Sequence, residues 1–257
     1  MIFIYRFLQF LKYQLTASTK YYLHSPFVYQ FYLNVLEGGV ETELTPINLL
    51  RTKLRNDVRE IEVADFGTAK SAVRIITELE KKVAVKEKYG LLLFRLVKHF
   101  QPKNILELGT NIGISSTYLA FGSPSAKIFS FEGSECLIEE AKKNHASLNI
   151  SNTEFICGNF DETLSIFLQK KFLVDFVLFD GNHTKEATLK YFEQCLLHTN
   201  ENSIFVFDDI YYSVEMTEAW KAIKSHPKIT LSLDVYQFGI CFFKKEKLAK
   251  ENFVLRY

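Results

Sequence analysis

The sequence predicts an α/β fold with a helical extension at its N-terminus. From residue 104 onward, short apolar runs alternate regularly with amphipathic segments of helical length, which indicates a parallel sheet covered by helices. The first of these runs, residues 104–108, leads into a glycine turn and then a helix. Two later runs end directly in aspartate. Ligands of such sheets bind at the carboxyl ends of the strands, so the same observations locate a candidate site.

Composition restricts the class of protein. The chain has 257 residues, of which 47% are hydrophobic, and this is enough for a full core. The formal net charge of +1 does not indicate a basic surface of the kind that binds nucleic acid, so no nucleic acid is expected as a partner. We expect no transmembrane segment and no signal peptide. The four cysteines form no C-x-x-C pair, so we interpret them as reduced core thiols of a cytoplasmic protein.

Residues 1–36 form an arm that is dense in aromatic side chains and carries an apolar helical stripe interrupted by polar residues. Three interpretations of this arm are open: a lid over the substrate, a homodimer contact, or a helix lying on a membrane surface. Its basic residues are only Arg6, Lys12 and Lys20, which favours the first two interpretations.

The segment between the arm and the first strand reads as mostly helical over residues 41–100. Residues 67–71 are interpreted as a loop between two of these helices. The expected organisation is therefore an N-terminal helical arm and lid region over residues 1–100, followed by one ligand-binding α/β domain over residues 101–257.

The α/β part is predicted as a regular succession of elements. The expected elements are strand 104–108, helix 113–121, strand 127–132, helix 136–149, strand 153–158, helix 162–169, strand 174–180, helix 185–197, strand 203–208, helix 214–225, and strands 228–236 and 239–243. The last two strands have no helix between them, so they are expected to close the sheet as an antiparallel hairpin.

The glycine turn reads Glu-Leu-Gly-Thr-Asn-Ile-Gly over residues 107–113. It departs from the G-x-G-x-x-G of dinucleotide-binding folds, because position 111 is Asn. The turn resembles the first motif of the class I S-adenosylmethionine (SAM)-dependent methyltransferases. The resemblance implies SAM as cofactor, the Rossmann-like seven-stranded sheet of that class, and a cradle for the amino-acid half of SAM. The matching cradle residues are Glu107, Gly109, Thr110, Asn111, Gly113 and Ser115.

Two further strand ends carry candidate cofactor contacts. Glu132 ends the second strand, where a carboxylate can accept both ribose hydroxyls, and Gly133 follows it. The simpler interpretation of Glu132 is an acid at a helix N-terminus. Gly158, Asn159 and Phe160 end the third strand and, by the resemblance, border adenine. Asn159 also suits the cap of the next helix, and the two roles are compatible.

Carboxylates follow the next two strands directly. Asp180 ends one strand, and Asp208 and Asp209 end the other. Neighbouring parallel strands lie about 5 Å apart, so the three carboxylates are expected to converge on one Mg²⁺. The motifs Phe-Asp-Gly-Asn-His-Thr and Phe-Asp-Asp-Ile-Tyr-Tyr resemble the metal motifs of catechol-type and caffeoyl-CoA-type O-methyltransferases and of related bacterial sugar O-methyltransferases. The resemblance spans residues 86–243 and implies these three aspartates as ligands, with Asp180 also beside SAM.

The chain departs from the catechol-type pattern at two positions. That pattern has Asp-Asn where this chain has Asp208 and Asp209, and His183 stands in place of its lysine base. His183 could accept the proton of the acceptor, or it could serve only as a helix cap. Asp180 and His183 are therefore the expected catalytic residues. The acceptor pocket is expected from the arm and from loops near residues 182–186 and 209–215.

We therefore expect a SAM-dependent methyltransferase (EC 2.1.1.-) that methylates a hydroxyl of a small molecule with the help of Mg²⁺. Two alternatives remain open. One is metal-free methylation of nitrogen or a carboxylate, in which the aspartates only order the site. The other is a SAM-fold protein without catalysis that acts as a binding or assembly module through its arm.

Overall fold

The computed structural model describes residues 2–39, 41–65, 70–170, 173–245 and 249–257. The chain divides into two compact units, Met1–Gly38 with Lys171–Tyr257, and Gly39–Lys170. The N-terminal arm therefore groups with the C-terminal third of the chain. The division into a helical region over residues 1–100 and a ligand-binding domain over residues 101–257 stays a prediction.

The α-helices, in chain order, are α1 (Ile2–Thr16), α2 (Pro26–Phe31), α3 (Thr45–Leu54), α4 (Ile76–Glu78), α5 (Glu87–Phe100), α6 (Ile114–Gly122), α7 (Glu135–Ser147), α8 (Phe160–Leu168), α9 (Lys185–Leu196) and α10 (Val214–Ser225). Short 3₁₀ turns occupy Lys20–Tyr22 and Thr42–Leu44, and π-helical turns occupy Tyr32–Glu37 and Leu79–Val83. The strands are β1 (Glu60–Asp65), β2 (Lys70–Ile75), β3 (Asn104–Leu108), β4 (Lys127–Glu132), β5 (Thr153–Cys157), β6 (Phe176–Phe179), β7 (Ile204–Phe207), β8 (Leu231–Asp234), β9 (Gly239–Phe242) and β10 (Glu251–Val254).

The unit Gly39–Lys170 is built on three parallel strands in the order β3-β4-β5. All but the first residue of β3 are buried, as the near-continuous apolar run predicts for a strand covered on both faces. Helices α5 and α6 pack closely because both carry glycine at the contact. A Cβ atom at Gly122 would lie 2.5 Å from the Phe94 carbonyl oxygen, and one at Gly90 would lie 2.3 Å from the Tyr118 ring.

Strands β1 and β2 form an antiparallel hairpin, so the prediction of a mostly helical segment over residues 41–100 was wrong here. Residues 60–65 read Glu-Ile-Glu-Val-Ala-Asp, and this alternation of polar and apolar side chains is the period of a strand. The hairpin is anchored to α7 by Arg59, whose Nη2 donates to Glu140 Oε2 at 3.0 Å. Of the loop predicted over residues 67–71, residues 67–69 lie outside the described residues, and the other two begin β2.

The other unit contains five strands in the order β10-β8-β9-β7-β6. Strand β9 runs antiparallel to both β7 and β8, which confirms the closing antiparallel pair. Strands β6 and β7 are parallel, as are β8 and β10. All seven strands expected from residue 104 onward are present. The additional edge strand β10 was not predicted, since its four residues are too few to show a clear period.

The arm packs on its own unit through tyrosine hydroxyls. Tyr13 donates to the Leu255 carbonyl oxygen at 2.7 Å, and Tyr5 donates to Thr217 Oγ1 at 2.7 Å. The Phe27 ring meets Phe242 edge to face, with centroids 5.2 Å apart. These contacts fix α1 and α2 against the strands and helices at the C-terminal end of the chain.

All four cysteines are free thiols. Cys195 and Cys241 are buried, as predicted. Cys136 and Cys157 are exposed, so the prediction of core thiols was wrong for these two, which lie in the first turn of α7 and at the end of β5. Among the described residues, no helix has both the length and the apolar character required to cross a bilayer.

Gly122→Ala tests the packing of α5 on α6. The added methyl group meets a main-chain oxygen, so we expect the free energy of unfolding to fall by about 1–3 kcal/mol. Urea denaturation at fixed pH measures this difference. Gly39→Ala is the matched control, because no atom lies within 4 Å of a Cβ at that position. Equal losses in the two variants would contradict the tight contact.

Candidate functional site

The turn between β3 and α6 has the backbone shape that its glycines predict. Gly109, Asn111 and Gly113 have φ angles of 108°, 50° and 79°. The amides of Gly109 and Thr110 both donate to the Phe131 carbonyl oxygen, at 2.9 and 3.1 Å, which pins the turn to the end of β4. A Cβ atom at Gly113 would lie 2.9 Å from Ala141 Cβ. The turn therefore needs glycine, and at Gly109 it offers main-chain atoms without a side chain.

Glu132 lies beside this turn with its carboxylate already oriented. One oxygen accepts from the Asn111 amide at 2.9 Å, and the other accepts from the Ser134 amide at 3.1 Å. Burial raises the pKa of Glu132, and these amide hydrogen bonds lower it. Each carboxylate oxygen has a second lone pair, so the group can still accept hydroxyl hydrogen bonds from a ligand. The ribose role of Glu132 stays a prediction.

Four of the six predicted cradle residues are buried: Glu107, Thr110, Gly113 and Ser115. Only Gly109 and Asn111 remain partly exposed. The Glu107 side chain lies beneath the turn, where Ser130 Oγ donates to Oε2. Burial raises the pKa of Glu107 to about 7, and nearby serine hydroxyls oppose the shift. The structure thus gives Glu107 a supporting position, and the cradle role predicted for it is not visible as an exposed surface.

Helix α7 supports the turn with three side chains that the sequence interpretation missed. Ala141 packs against Gly113, and Asn144 Nδ2 donates to the Ile112 carbonyl oxygen at 2.8 Å. His145 Nε2 lies 3.0 Å from Ser116 Oγ. Burial lowers the pKa of His145 to about 4, so its ring is neutral near pH 7. A signal was present, since these three residues share one face of α7 and are small or polar where a core face is normally apolar.

The loop after β5 combines a glycine of positive φ with a helix cap. Gly158 has a φ angle of 135°, and its amide donates to the Glu132 carbonyl oxygen at 3.0 Å. Asn159 Oδ1 accepts from the Asp161 amide at 2.9 Å, which confirms the capping role. Phe160 begins α8 and is partly exposed. The contact of this loop with adenine remains a prediction.

The ends of β6 and β7 place the predicted catalytic residues in the unit that contains the arm. His183 follows a tight turn in which Asn182 has a φ angle of 53°, and its Nε2 lies 3.7 Å from Asp180 Oδ1. Asp208 is buried, and its Oδ1 accepts from the Asp209 amide at 2.7 Å. The structure therefore pairs His183 with Asp180 and uses Asp208 to shape its own loop.

A metal ion does not fit these residues as they are placed. Among the residues that the structure describes, no group of three or more His, Cys, Asp or Glu side chains could hold one. The magnesium site predicted from Asp180, Asp208 and Asp209 is thus not assembled. Asp208 Oδ1 accepts from the Asp209 amide, and Asp209 is in the left-handed region with a φ angle of 54°.

A cavity of about 420 Å³ lies in the same unit, of the size of small-molecule pockets. It matches the expectation of a pocket built by the arm and two loops. The residues that line it are Ile2, Tyr5, His183, Tyr212, Ser213, Val214 and Glu215. The Arg6 guanidinium lies 5.1 Å from the Tyr212 ring centroid, which holds that ring in place. The sequence interpretation gave these segments as the walls of the pocket but assigned a role only to His183, because the side chains that converge depend on tertiary packing.

Comparisons with known proteins agree with this architecture. Residues 106–210 match the model of a protein family described as "Methyltransferase domain". An O-methyltransferase from Bacillus cereus, solved in complex with SAH, is similar to the chain, with 18% identity and a TM-score of 0.57. The match covers 85% of this chain and 97% of the Bacillus cereus chain. The SAH-bound methyltransferase PaMTH1 from Podospora anserina has 16% identity and a TM-score of 0.60, with coverages of 87% and 97%.

A third similar structure is the O-methyltransferase TomG from Streptomyces achromogenes, which is involved in tomaymycin synthesis and was solved with SAM. It has 16% identity and a TM-score of 0.57, with coverages of 84% and 95%. The chain therefore has the α/β fold of the class I SAM-dependent methyltransferases, with a mixed, mostly parallel sheet and N-terminal helices. Residues 106–210 match a methyltransferase domain, as the resemblance noted in the sequence predicts.

The raised pKa of Glu107 predicts a pH dependence of stability. Its ordinary value is 4.5 and its folded value is about 7, so between these the folded protein binds more protons than the unfolded chain. This contribution to the free energy of unfolding therefore falls as the pH rises through that window. Glu107→Gln removes it, and the stability of the variant relative to the wild type should grow by up to about 1.4 kcal/mol per pH unit. Denaturation from pH 4.5 to pH 7 measures the trend.

Glu154→Gln, at an exposed position of β5, is the control and should show no such trend. A difference between Glu107→Gln and the wild type that stays constant across the window would contradict the assignment. A shift of the trend to a lower pH would place the folded pKa below the value that burial indicates.

Proposed function

We propose that the protein transfers the methyl group of SAM to a hydroxyl oxygen of a small, largely apolar molecule. The observation that carries this proposal is the glycine turn with the oriented Glu132 carboxylate, which lies inside the region that matches the methyltransferase family. The Bacillus cereus and Streptomyces achromogenes enzymes of the same fold are O-methyltransferases with SAH or SAM bound, which supports both the cofactor and the acceptor atom.

The residues of Gly39–Lys170 fit the cofactor. When bound, SAM supplies an electrophilic methyl group on a positively charged sulfur. The main chain at Gly109 and Asn111 would receive its amino-acid half, and Glu132 would accept the ribose hydroxyls. Gly133 adjoins Glu132, and Asn159 and Phe160 would border adenine. The glycine turn admits the ligand because no side chain projects from it at Gly109.

The cavity beside α1 fits the acceptor. Ile2, Tyr5, Tyr212 and Val214 give it a mainly apolar wall that would hold the body of an apolar compound. Glu215 adds one carboxylate that can accept a hydrogen bond from the acceptor. Such a wall favours a phenol or another apolar alcohol over a sugar, whose many hydroxyls would lose their water without finding partners.

His183 would act as the general base. Its Nε2 faces Asp180 Oδ1 at 3.7 Å, so Nδ1 is the atom that would accept the proton of the acceptor hydroxyl. The Asp180 carboxylate would then stabilise the protonated ring, as a carboxylate does beside a catalytic histidine. The oxygen left by this proton transfer carries the electron pair that would form the new bond to the methyl carbon. The bond from that carbon to sulfur would break at the same time, and SAH would leave with its electron pair as a neutral thioether. Asp180 is in this proposal a positioning residue for His183, and its predicted contact with SAM is retained as part of the proposal.

Magnesium assistance was expected from the sequence, and the placement of Asp180, Asp208 and Asp209 does not support it. The proposal therefore assigns activation of the hydroxyl to His183. The four free thiols support a reducing, cytoplasmic compartment.

Glu132→Ala tests the cofactor site. Loss of the carboxylate leaves ribose hydroxyls unpaired, so we expect the affinity for SAM to fall by about 1–3 kcal/mol, measured by calorimetry without any acceptor. Glu135→Ala is the matched control, since it removes an exposed acid three residues away in the first turn of α7. Equal losses in the two variants would favour the helix N-terminal interpretation of Glu132. An unchanged affinity in Glu132→Ala would contradict the ribose role.

His183→Gln tests the base. SAH release is followed over a panel of phenols and aliphatic alcohols, and with a responsive acceptor we expect kcat to fall by about 10²–10⁴-fold while the affinity for SAM is kept. The loss should shrink as the pH rises toward the pKa of the acceptor hydroxyl, because the hydroxyl then ionises without help. His99→Gln, at an exposed position of α5, is the control.

Chelation in the same assay separates the base from a metal. We expect the wild-type rate to survive exhaustive treatment with EDTA. A rate that is lost with EDTA and restored by Mg²⁺ would show that the three aspartates bind an ion in solution. That outcome would remove the assignment of hydroxyl activation to His183 alone.

A further inference from the structure

Helix α1 directs polar side chains toward the protein. The Tyr5 hydroxyl donates to Thr217 Oγ1 at 2.7 Å, and the Tyr13 hydroxyl donates to a main-chain carbonyl next to β10 at 2.7 Å. The Arg6 guanidinium stacks on an aromatic ring at 5.1 Å. Of the residues in α1, only Tyr13 is fully buried. The contacts that hold this helix in place are therefore made by hydroxyl and guanidinium groups and by ring contacts of Phe10 and Tyr13 with Tyr236, and none of these contacts involves the opposite side of the helix.

The opposite side of α1 carries large apolar side chains, each exposed. This outer stripe consists of Phe3, Ile4, Phe7, Leu8, Leu11 and Leu15. Phe3 is 80% exposed and Leu15 is 88% exposed. The spacing of three and four residues places all six along one side of the helix. A surface helix normally has the reverse polarity, and a monomer seldom exposes an apolar patch of this kind unless something covers it.

The small number of basic residues in the arm favoured a lid or a dimer contact at the level of the sequence. The outward direction of the stripe changes this preference, and the sign of the arm's charge then indicates what covers the outer stripe. Residues 1–36 contain three basic residues and no acidic residue. Lys12 is exposed within α1 itself, and Lys20 follows the helix, where it pairs with Glu37 at 2.8 Å. Exposed Tyr21 and Tyr22 stand next to Lys20. An apolar helix face bordered by lysine and tyrosine suits the interface of an anionic bilayer, where apolar side chains insert and basic side chains meet the headgroups.

The same charges disfavour a second copy of the chain as the occupant. Two α1 helices packed face to face would bring their Lys12 side chains together, and α1 contains no acidic residue to compensate them. A lipid surface has no such conflict, because its charge has the opposite sign.

We propose that the outer stripe of α1 docks the protein on the surface of an anionic lipid bilayer, with α1 lying in the plane of the interface. The helix also contributes Ile2 and Tyr5 to the cavity of about 420 Å³. Docking therefore places a wall of this cavity at the lipid surface, where apolar compounds collect. Membrane docking does not depend on the proposed methyl transfer, and it is measured without SAM or an acceptor.

Sedimentation of the full chain with lipid vesicles tests the proposal. We expect binding to vesicles of equal parts phosphatidylcholine and phosphatidylglycerol, weaker binding to pure phosphatidylcholine, and a decrease with added salt. The double variant Phe7→Ser/Leu11→Ser should lower the partition coefficient by about tenfold or more. Lys12→Glu should reduce the preference for phosphatidylglycerol.

The matched control is Ile166→Ser/Leu197→Ser, which removes two exposed apolar side chains from α8 and from the end of α9. It should bind vesicles as the wild type does. Circular dichroism and thermal denaturation establish that every variant is folded before its binding is compared. Because the outer stripe makes no part of the cofactor turn, calorimetry with SAM should give the wild-type affinity for each variant.

Three results would overturn the proposal. The first is a wild-type protein that sediments with neither type of vesicle. The second is a control variant that loses as much binding as the outer-stripe variant. The third is a dimer, seen by light scattering in the absence of vesicle binding, that becomes a monomer in Phe7→Ser/Leu11→Ser, since a second copy would then cover the outer stripe.

Discussion

The left-handed turn between β3 and α6 is the constraint on which the unit Gly39–Lys170 depends. Within five residues, Gly109, Asn111 and Gly113 all have positive φ, a region that most side chains avoid. Two amides of this turn bind one carbonyl oxygen of β4, so the ends of β3 and β4 are fixed at the same level. A side chain at Gly113 would displace α7. The shape of the turn, the register of β3 against β4 and the position of α7 therefore depend on one another.

Burial then decides which groups near the turn carry charge. Beneath it, the low polarity of the interior raises the pKa of Glu107 and lowers that of His145, and each shift favours the neutral form. Glu132 is less completely buried and is held by two main-chain amides, which favour its charged form. The carboxylate that accepts hydrogen bonds best is thus the one at the surface of the turn. The buried groups support it without adding a second full charge nearby.

Local sequence patterns were sufficient where structure is local. The strands from residue 104 onward show clear hydrophobic patterns, and Gly109 and Gly113 indicate a tight turn of the main chain. The strands and the turn were therefore predicted correctly. Asn144 and Tyr212 act only through tertiary contacts that no short window contains. The three aspartates were placed correctly at strand ends. The Asp208 carboxylate accepts from the amide of Asp209, a residue with positive φ. The sequence pattern does not define this local backbone conformation.

In α1 the apolar side faces outward and the polar side faces the protein. This arrangement shows why the hydrophobic period alone could not distinguish between the possible functions of the arm. A helical period defines a stripe, and it does not say which side of the stripe faces the protein. Tyr5 and Tyr13 resolve the question in this chain, because each points toward the protein and ends in a hydroxyl that finds a buried partner. The helix is thus anchored without the six side chains of the outer stripe. These remain on the outside, so one helix carries both a wall of the acceptor cavity and an apolar surface that faces away from it.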